Sequence, residues 1–578
     1  MGQPWIRHPV LWHSSRVPSG YNYSAMTPEQ IVVIRSRWHS FYTADWDYAL
    51  TTVYFFCAAV FLFGLINLIF HLRHAENPSV VRAIPFYTKI IAASRALGAK
   101  QLYVPAVNYY SPPLSAVIGV AVLITFFTTL TFGARPYLWP NPAMGHSPPI
   151  ATRSGWISIA ILPFLIVFAT KVNPITMITG VSHEKLQVYH RWTAWIMFVT
   201  SLIHTFPFIV QEIRMGNMPT DWATQPWYWT GVAALVPQTW LVVMSWGPIR
   251  NRYYETFKKL HYLASGVFVP ALFVHCDFRL TSWDYFAATA ALYVLSWLVR
   301  YGRTLYNGLR SDASFEALPE NMVKVTIPTK VKWRPGQHFF VRFLDMGIHA
   351  ASAHPFTVAN LPAKDGNNVI ELYARVHAGI TARLAAMCKD GALKSSRVLL
   401  DGPYGGVEGN LKMYDRVLLL GGGSGVTFVI PLLLDIMQKY NEGRVKCRKV
   451  HLVWAVRTTD GLTWFDDVLT GAVKAAPEGL SVTVSYYVTD VTLSPDDASS
   501  KSEKSALSEG ALTKYNGRPV LPEIVKEFCD EEGTVAVATC GPDSFNLDVG
   551  NAVSECELAI LRGKARCSEV YFHHESYR

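Results

Sequence analysis

The chain has 578 residues, half of them hydrophobic and 16% charged, with a formal net charge of +10. It is too long for one domain and too apolar to be intrinsically disordered. The basic excess needs no nucleic-acid partner, because it is carried by loops beside apolar runs and no nucleic-acid-binding motif is present.

Residues 1–47 read as an N-terminal tail. Their opening MGQPWIRHPVLWHSSR lacks the apolar centre of a cleaved signal peptide, and Gly2 lacks the downstream Ser or Thr of a myristoylation motif. Nearly uncharged stretches then fall at 48–70, 114–132, 155–170, 188–210, 227–246, 260–276 and 285–299. They predict a membrane bundle of about seven helices over 48–305, the third and seventh short. Lys and Arg crowd the segments 71–113 and 247–259, and Lys171 and Lys185 precede the fourth helix. Those loops are expected in the cytoplasm, with the N-terminus outside and the C-terminal half inside. The acceptor triplet Asn22-Tyr23-Ser24 lies in the expected outer tail, as a glycoprotein would have it.

Two histidine pairs stand in these apolar stretches. His190 and His204 are fourteen residues apart, and so are His261 and His275. Fourteen residues are nearly four helical turns, so each pair shares a helix face over roughly 21 Å of rise. That separation puts one site in each half of a hydrocarbon core about 30 Å thick. Ionisable groups at that depth are costly and read as functional. The fourth and sixth helices run the same way, so depth pairs His190 with His261 and His204 with His275. Two haem b groups, each held by two imidazoles, fit this pattern; zinc fits less well, with only Cys276 and Asp277 near either outer histidine. Phe268, midway along its interval, reads either as an inter-haem aromatic or as ordinary core.

From Phe315 the pattern changes. Short alternating runs (MVKVTIP, HFFVRFL, VIELYARV, SRVLLDG) between Pro-Gly, Asp-Gly and Gly-Pro predict an antiparallel β-barrel over 315–410. Residues 412–578 alternate strand and helix, which predicts a doubly wound α/β domain. In RVLLLGGGSG, Gly421, Gly422, Gly423 and Gly425 would let backbone amides approach a pyrophosphate at a helix N-terminus, although the run alone could be a tight turn. The segment 489–519, rich in Ser, Asp and Lys, reads as a disordered insertion. Eight cysteines without C-x-x-C spacing predict neither a disulfide framework nor an iron–sulfur cluster.

The order RPGQHFF (334–340), HPFT (354–357), DGPYGG (401–406), LLLGGGSGVT (418–427) and CGPDSF (540–545) resembles the flavin reductase module of the ferredoxin–NADP reductase superfamily. Joined to the paired histidines and to His190-Arg191-Trp192, the chain from about residue 40 resembles the fungal ferric-chelate reductases, flavocytochrome b relatives of the NADPH oxidases. The resemblance implies that His354, Pro355, Phe356 and Thr357 contact FAD and that Arg375 and the Gly379-Ile380-Thr381 turn meet its pyrophosphate. It implies that Gly421 to Gly425, with Ser424 and Thr427, cradle the nicotinamide dinucleotide beside Cys540, Gly541 and Pro542. Arg457 is placed to meet a 2′-phosphate and favour NADPH, or else is a solvated surface arginine. The family commonly ends in an aromatic residue over the flavin. This chain ends in Arg578, with Tyr577 before it.

The implied activity is electron transfer from cytosolic NADPH through FAD and two haems to external ferric chelates or cupric ions, in the plasma membrane, serving a separate iron importer. A superoxide-forming NADPH oxidase has the same histidine pattern. A seven-helix transporter or receptor would need further charged residues at mid-membrane, and the helices offer only histidines.

Overall fold

The computed structural model describes residues 21–36, 44–74, 85–308, 310–347, 350, 352–377, 379–389, 395–490 and 511–575. They form two compact units, one of residues 1–70 and 118–299, the other of 71–117 and 300–578.

The helices of the apolar half are α1 (Leu50–His74), α3 (Leu114–Phe132), α4 (Pro149–Ala169), α5 (His183–Met215), α6 (Pro226–Val243), α7 (Tyr254–Cys276) and α8 (Ser282–Asn307); between α1 and α3 lies α2 (Pro85–Ala99). Among the described residues, only those over 47–72, 114–132, 149–169 and 183–215 are long and apolar enough to cross a membrane by length and composition. The last two helices carry charged turns at an end, YETFKK in α7 and RYGRTLYN in α8. The third and seventh helices are longer than expected, because charged and proline residues that read as loop are absorbed into helix ends.

Arg153 shows how. It sits inside the first turns of α4 and is 1% exposed. Its Nε donates to the Thr131 carbonyl at 2.7 Å and its Nη2 to that of Ala134 at 2.7 Å, so the guanidinium serves carbonyls at the end of α3 that have no partner within that helix. Tyr48 and Tyr137 lie within 6 Å of the same group. The buried helix α4 packs against α5, where Ser158 Oγ meets Thr200 Oγ1 at 2.6 Å.

The second unit holds two six-stranded sheets. The antiparallel one has β1 (Ser311–Leu318), β2 (Met322–Thr329), β3 (Gln337–Phe343), β4 (His354–Thr357), β5 (Asn368–Arg375) and β6 (Ser395–Gly405), in the order β4-β3-β6-β1-β2-β5. It begins at Ser311, a few residues before the expected barrel. Alternation places Val323, Val325 and Ile327 in one core with Phe339, Val341 and Phe343. The short helix α9 (Ile380–Lys389) follows β5.

The other sheet is parallel throughout: β7 (Arg416–Gly422), β8 (Lys449–Val456), β9 (Ser481–Val488), β10 (Leu512–Asn516), β11 (Gly533–Cys540) and β12 (Cys567–Glu575), in the order β10-β9-β8-β7-β11-β12. The chain reverses direction of travel across the sheet at β7, which puts the ligand crevice at the carboxyl ends of β7 and β11. Its helices include α10 (Val426–Asn441), α11 (Asp466–Lys474), α12 (Leu521–Cys529) and α13 (Asp543–Leu561). The insertion expected over 489–519 stops short of 512: Leu512–Asn516 is the edge strand paired with β9, recruited by main-chain bonds that composition does not signal. Residues 491–510 lie outside the described residues.

The segment 71–113, expected as a charged cytoplasmic loop, contains α2 and belongs to this second unit. The helix packs on α13, where Ser554 Oγ donates to the Ala96 carbonyl at 2.9 Å and the Gln101 amide donates to Asn551 Oδ1 at 3.0 Å. Gly550 has no room for a Cβ, which would lie 2.8 Å from the Ala99 carbonyl oxygen. Arg95 packs between Glu569 at 2.8 Å and Glu557 at 3.8 Å.

Candidate functional site

In the apolar unit, His190 and His261 have ring centroids 6.4 Å apart, and His204 and His275 6.0 Å apart. Two imidazoles flanking one ion, each with nitrogen about 2 Å from it, stand about 6 Å apart centre to centre. Nδ1 of His190 lies 2.9 Å from the Leu165 carbonyl, Nδ1 of His204 2.8 Å from that of Ala151, and Nδ1 of His275 3.0 Å from that of Trp227. A carbonyl only accepts, so each of these Nδ1 atoms carries the proton and Nε2 is the ring nitrogen that bears the lone pair. Nδ1 of His261 is buried with no hydrogen-bond partner.

Two glycines make room for the outer pair. A Cβ at Gly155 would lie 2.5 Å from His204 Nδ1, and one at Gly231 would lie 3.0 Å from His275 Cε1. Spacing did not single out either glycine, because the neighbour each accommodates is on another helix. Phe268 and Met197 are both buried in the core of this unit. Among the described residues no three His, Cys, Asp or Glu side chains are grouped to hold a metal ion, so the histidines meet only as pairs. Those pairs, with three of four Nδ1 atoms bonded to carbonyls and small residues beside the outer two rings, fit a bis-imidazole haem.

The second site lies at the carboxyl ends of the parallel strands. Gly421 and Gly422 belong to β7 itself, and the turn proper is Gly423–Gly425, ahead of α10. The glycines are required by packing as much as by ligand approach. A Cβ at Gly422 would lie 2.9 Å from Pro542 Cδ, and Gly425 packs on the Cys540 carbonyl with no space for a side chain. Gly423 has φ +56°, and its carbonyl accepts from Trp454 Nε1 at 3.0 Å. Thr427 turns its hydroxyl back to the Ser424 carbonyl at 2.9 Å. The run and Cys540-Gly541-Pro542 therefore form one surface.

The barrel reaches the same place. Arg375 ends β5, and its guanidinium lies 3.8 Å from where a Gly423 Cβ would be. Gly379, at φ +83°, precedes α9, so Ile380 and Thr381 form its first turn rather than an isolated turn; free amides at that end suit a phosphate. His354, Pro355, Phe356 and Thr357 are the whole of β4, paired with β3. Arg457 stands just past β8, 73% exposed in its side chain, with Nε 3.8 Å from Asp490.

Glu575 was not singled out in the sequence. It pairs in register with Cys540 across β11 and β12, and its carboxylate lies 3.1 Å from His573 Nε2. Burial, and then the charge of Glu575, push the Cys540 thiol far up, so it stays protonated. Asn546 Nδ2 donates to the carbonyls of Gly541 and Glu575 at 3.0 and 3.1 Å. Gly405 of the DGPYGG turn approaches both His338 and Glu575. Nothing local in the sequence ties Glu575 to Cys540; the in-register pairing of β11 with β12 does. Tyr577 lies outside the described residues.

Comparison with known proteins gives three family matches in chain order: the ferric reductase like transmembrane component at 154–272, an FAD-binding domain at 308–408 and the ferric reductase NAD-binding domain at 414–554. The chain belongs to the ferric reductase family. It is an integral membrane protein whose apolar helices precede an FAD-binding and an NAD-binding domain. It is 34% identical over 378 residues to a probable cell surface ferric reductase of Aspergillus oryzae, covering 62% of this chain and 50% of that relative. It is 27% identical over 553 residues to ferric/cupric reductase transmembrane component 7 of Saccharomyces cerevisiae, covering 87% of this chain and 86% of that one. The chain thus spans half the length of the first relative and most of the second. A solved ferredoxin reductase of carbazole 1,9a-dioxygenase is 17% identical, covering 46% of this chain and 69% of that one, with a TM-score of 0.30.

Proposed function

We propose that this ferric reductase family member takes electrons from cytosolic NADPH and delivers them through FAD and two b haems to ferric chelates or cupric ions outside the plasma membrane. The observation that carries the reading is the pair of imidazole pairs, about 6 Å apart within each, with Nδ1 of three of the four engaged by a carbonyl. When bound, FAD would split a two-electron hydride donation into single electrons, and haem would supply one-electron transfer.

This chain's residues supply placement. His190 with His261, and His204 with His275, would hold the haem iron, and Gly155 and Gly231 leave space for the outer imidazoles. The β4 residues His354–Thr357, with Arg375 and the amides before α9, hold the flavin. The Gly423–Gly425 turn and Cys540–Pro542 receive the dinucleotide. The protonated Cys540 thiol, with Glu575 beside it, offers a neutral wall to a nicotinamide ring. Arg457 is the cation that selects the 2′-phosphate. The relatives' printed names, ferric reductase and ferric/cupric reductase, support a metal acceptor over dioxygen.

The test is to give NADPH and a ferric chelate to membranes holding the full chain and follow ferrous product with and without oxygen and superoxide dismutase. Ferrous formation is expected to persist without oxygen and to be insensitive to the dismutase. Its disappearance under either condition would make superoxide the product and overturn the reading.

A further inference from the structure

No charged residue falls between Lys100 and Arg135, yet the membrane-crossing helix of that stretch, α3, starts only at Leu114. The uncharged run therefore reaches well beyond the helix, on the side where the chain arrives from α2. Part of the extension folds into a two-stranded antiparallel ribbon, Tyr103–Val104 paired with Tyr109–Tyr110. Asn108, at φ +45°, turns the chain back at its tip, a conformation that asparagine tolerates better than most residues.

The ribbon carries apolar side chains on both faces. Register sets Tyr103 opposite Tyr110 and Val104 opposite Tyr109, and strand alternation sends the two pairs to opposite sides. The rings of Tyr103 and Tyr110 lie 4.6 Å apart. Leu102, Tyr103, Val104 and Tyr109 are nonetheless all exposed, and Val107 at the tip is 70% exposed. A ribbon of two strands is marginal in water by itself, and large apolar side chains gathered on one exposed element mark a contact surface.

Its place in the chain decides what it contacts. The Leu114 amide donates to the Lys100 carbonyl at 2.8 Å and the Ser111 amide to that of Leu102 at 2.8 Å, while the Leu102 amide donates to Ser111 Oγ at 2.8 Å. These bonds fasten the base of the ribbon to the first turn of α3. The 19 residues of α3 rise roughly 28 Å, almost the whole of a hydrocarbon core about 30 Å thick, so that first turn stands at the edge of the core. The free edges of the ribbon set its depth. Their unpaired amides and carbonyls are costly in hydrocarbon but hydrated among headgroups, the zone where tyrosine also concentrates.

We propose that the 102–110 ribbon is a lipid-binding anchor, its tip and tyrosines seated among phospholipids at the headgroup–acyl boundary of the leaflet that faces the nucleotide-binding domain. The ribbon follows directly on α2, which packs on α13, and its second strand also touches α13. The same segment therefore holds the nucleotide-binding domain to the bilayer surface.

The experiment places p-benzoylphenylalanine at Val107 of the full chain in phosphatidylcholine nanodiscs, irradiates it and maps the adducts by peptide mass spectrometry. The same probe at Phe61, 72% exposed on α1, is the reference for contact with lipid; at Lys474, exposed at the end of α11, it is the reference for water. Phospholipid adducts at Val107 are expected at a yield comparable to that at Phe61 and roughly tenfold above that at Lys474. Should the Val107 variant fail to assemble, the same comparison is read at Leu102, whose exposed side chain is expected to give the same result. A yield no higher than at Lys474, or cross-links to another segment of the chain in place of lipid, would overturn the proposal.

Discussion

At the scale of single residues, the histidines depend on small neighbours. Gly155→Ala puts a methyl carbon 2.5 Å from His204 Nδ1, against 3.0 Å from the His275 ring for Gly231→Ala. The first is therefore expected to lose the outer haem to nearly the extent of His204→Ala, which should halve haem per protein while the inner site stays loaded. The second should perturb the spectrum with little loss. A pyridine haemochrome measurement on each variant decides it, and unchanged haem content in His204→Ala would refute the ligand assignment. Arg457→Ala is expected to raise the KM for NADPH a few-fold, within the roughly 1 kcal/mol that one exposed charge pair supplies, and to leave that for NADH alone. Equal effects on both would show that the guanidinium does not read the 2′-phosphate. The histidines were legible in sequence because an equal spacing of fourteen residues repeats. Gly155, Gly231 and Glu575 were not, because what makes each matter is a neighbour 49, 44 or 35 residues away.

At the scale of elements, α2 changes the reading most. Its sequence PFYTKIIAASRALGA is amphipathic, yet inside a basic loop between two apolar helices it reads as solvated. The structure packs Arg95 between Glu569 and Glu557. Burial, opposed by Arg95 and reinforced by Glu569, raises Glu557 to about 8. The folded state therefore holds a proton that the unfolded chain releases near its ordinary 4.5. Folding is thus linked to proton uptake, and stability falls as pH rises from about 4.5 to about 8. Glu557→Gln is expected to flatten the thermal-unfolding profile of the full chain across that window and to raise the midpoint at its alkaline end. An unaltered pH profile would show that another group carries the linkage. The strand Leu512–Asn516 teaches the same lesson: composition reads it as part of an insertion, and main-chain pairing to β9 makes it sheet.

At the scale of the whole molecule, the proposed route carries negative charge outward across the membrane. A cytoplasm-negative potential then favours turnover by about 2.3 kcal/mol per elementary charge per 100 mV. In sealed vesicles with the nucleotide domain inside, ferric reduction is expected to speed up under an inside-negative potassium diffusion potential and to slow when its sign is reversed. Rates indifferent to that potential would mean that no electron-transfer step limiting turnover crosses the field. By itself the sequence determined the class of protein: apolar runs, the repeated histidine interval, strand alternation and the glycine turn are all local or periodic signals that need no knowledge of what packs against them. Only the tertiary structure decided which small residues leave room for the imidazoles and that α2 with Arg95 joins the second unit. Each of these is a contact between segments far apart in the chain, and such contacts are set by how helices and sheets bury one another rather than by any pattern along the backbone.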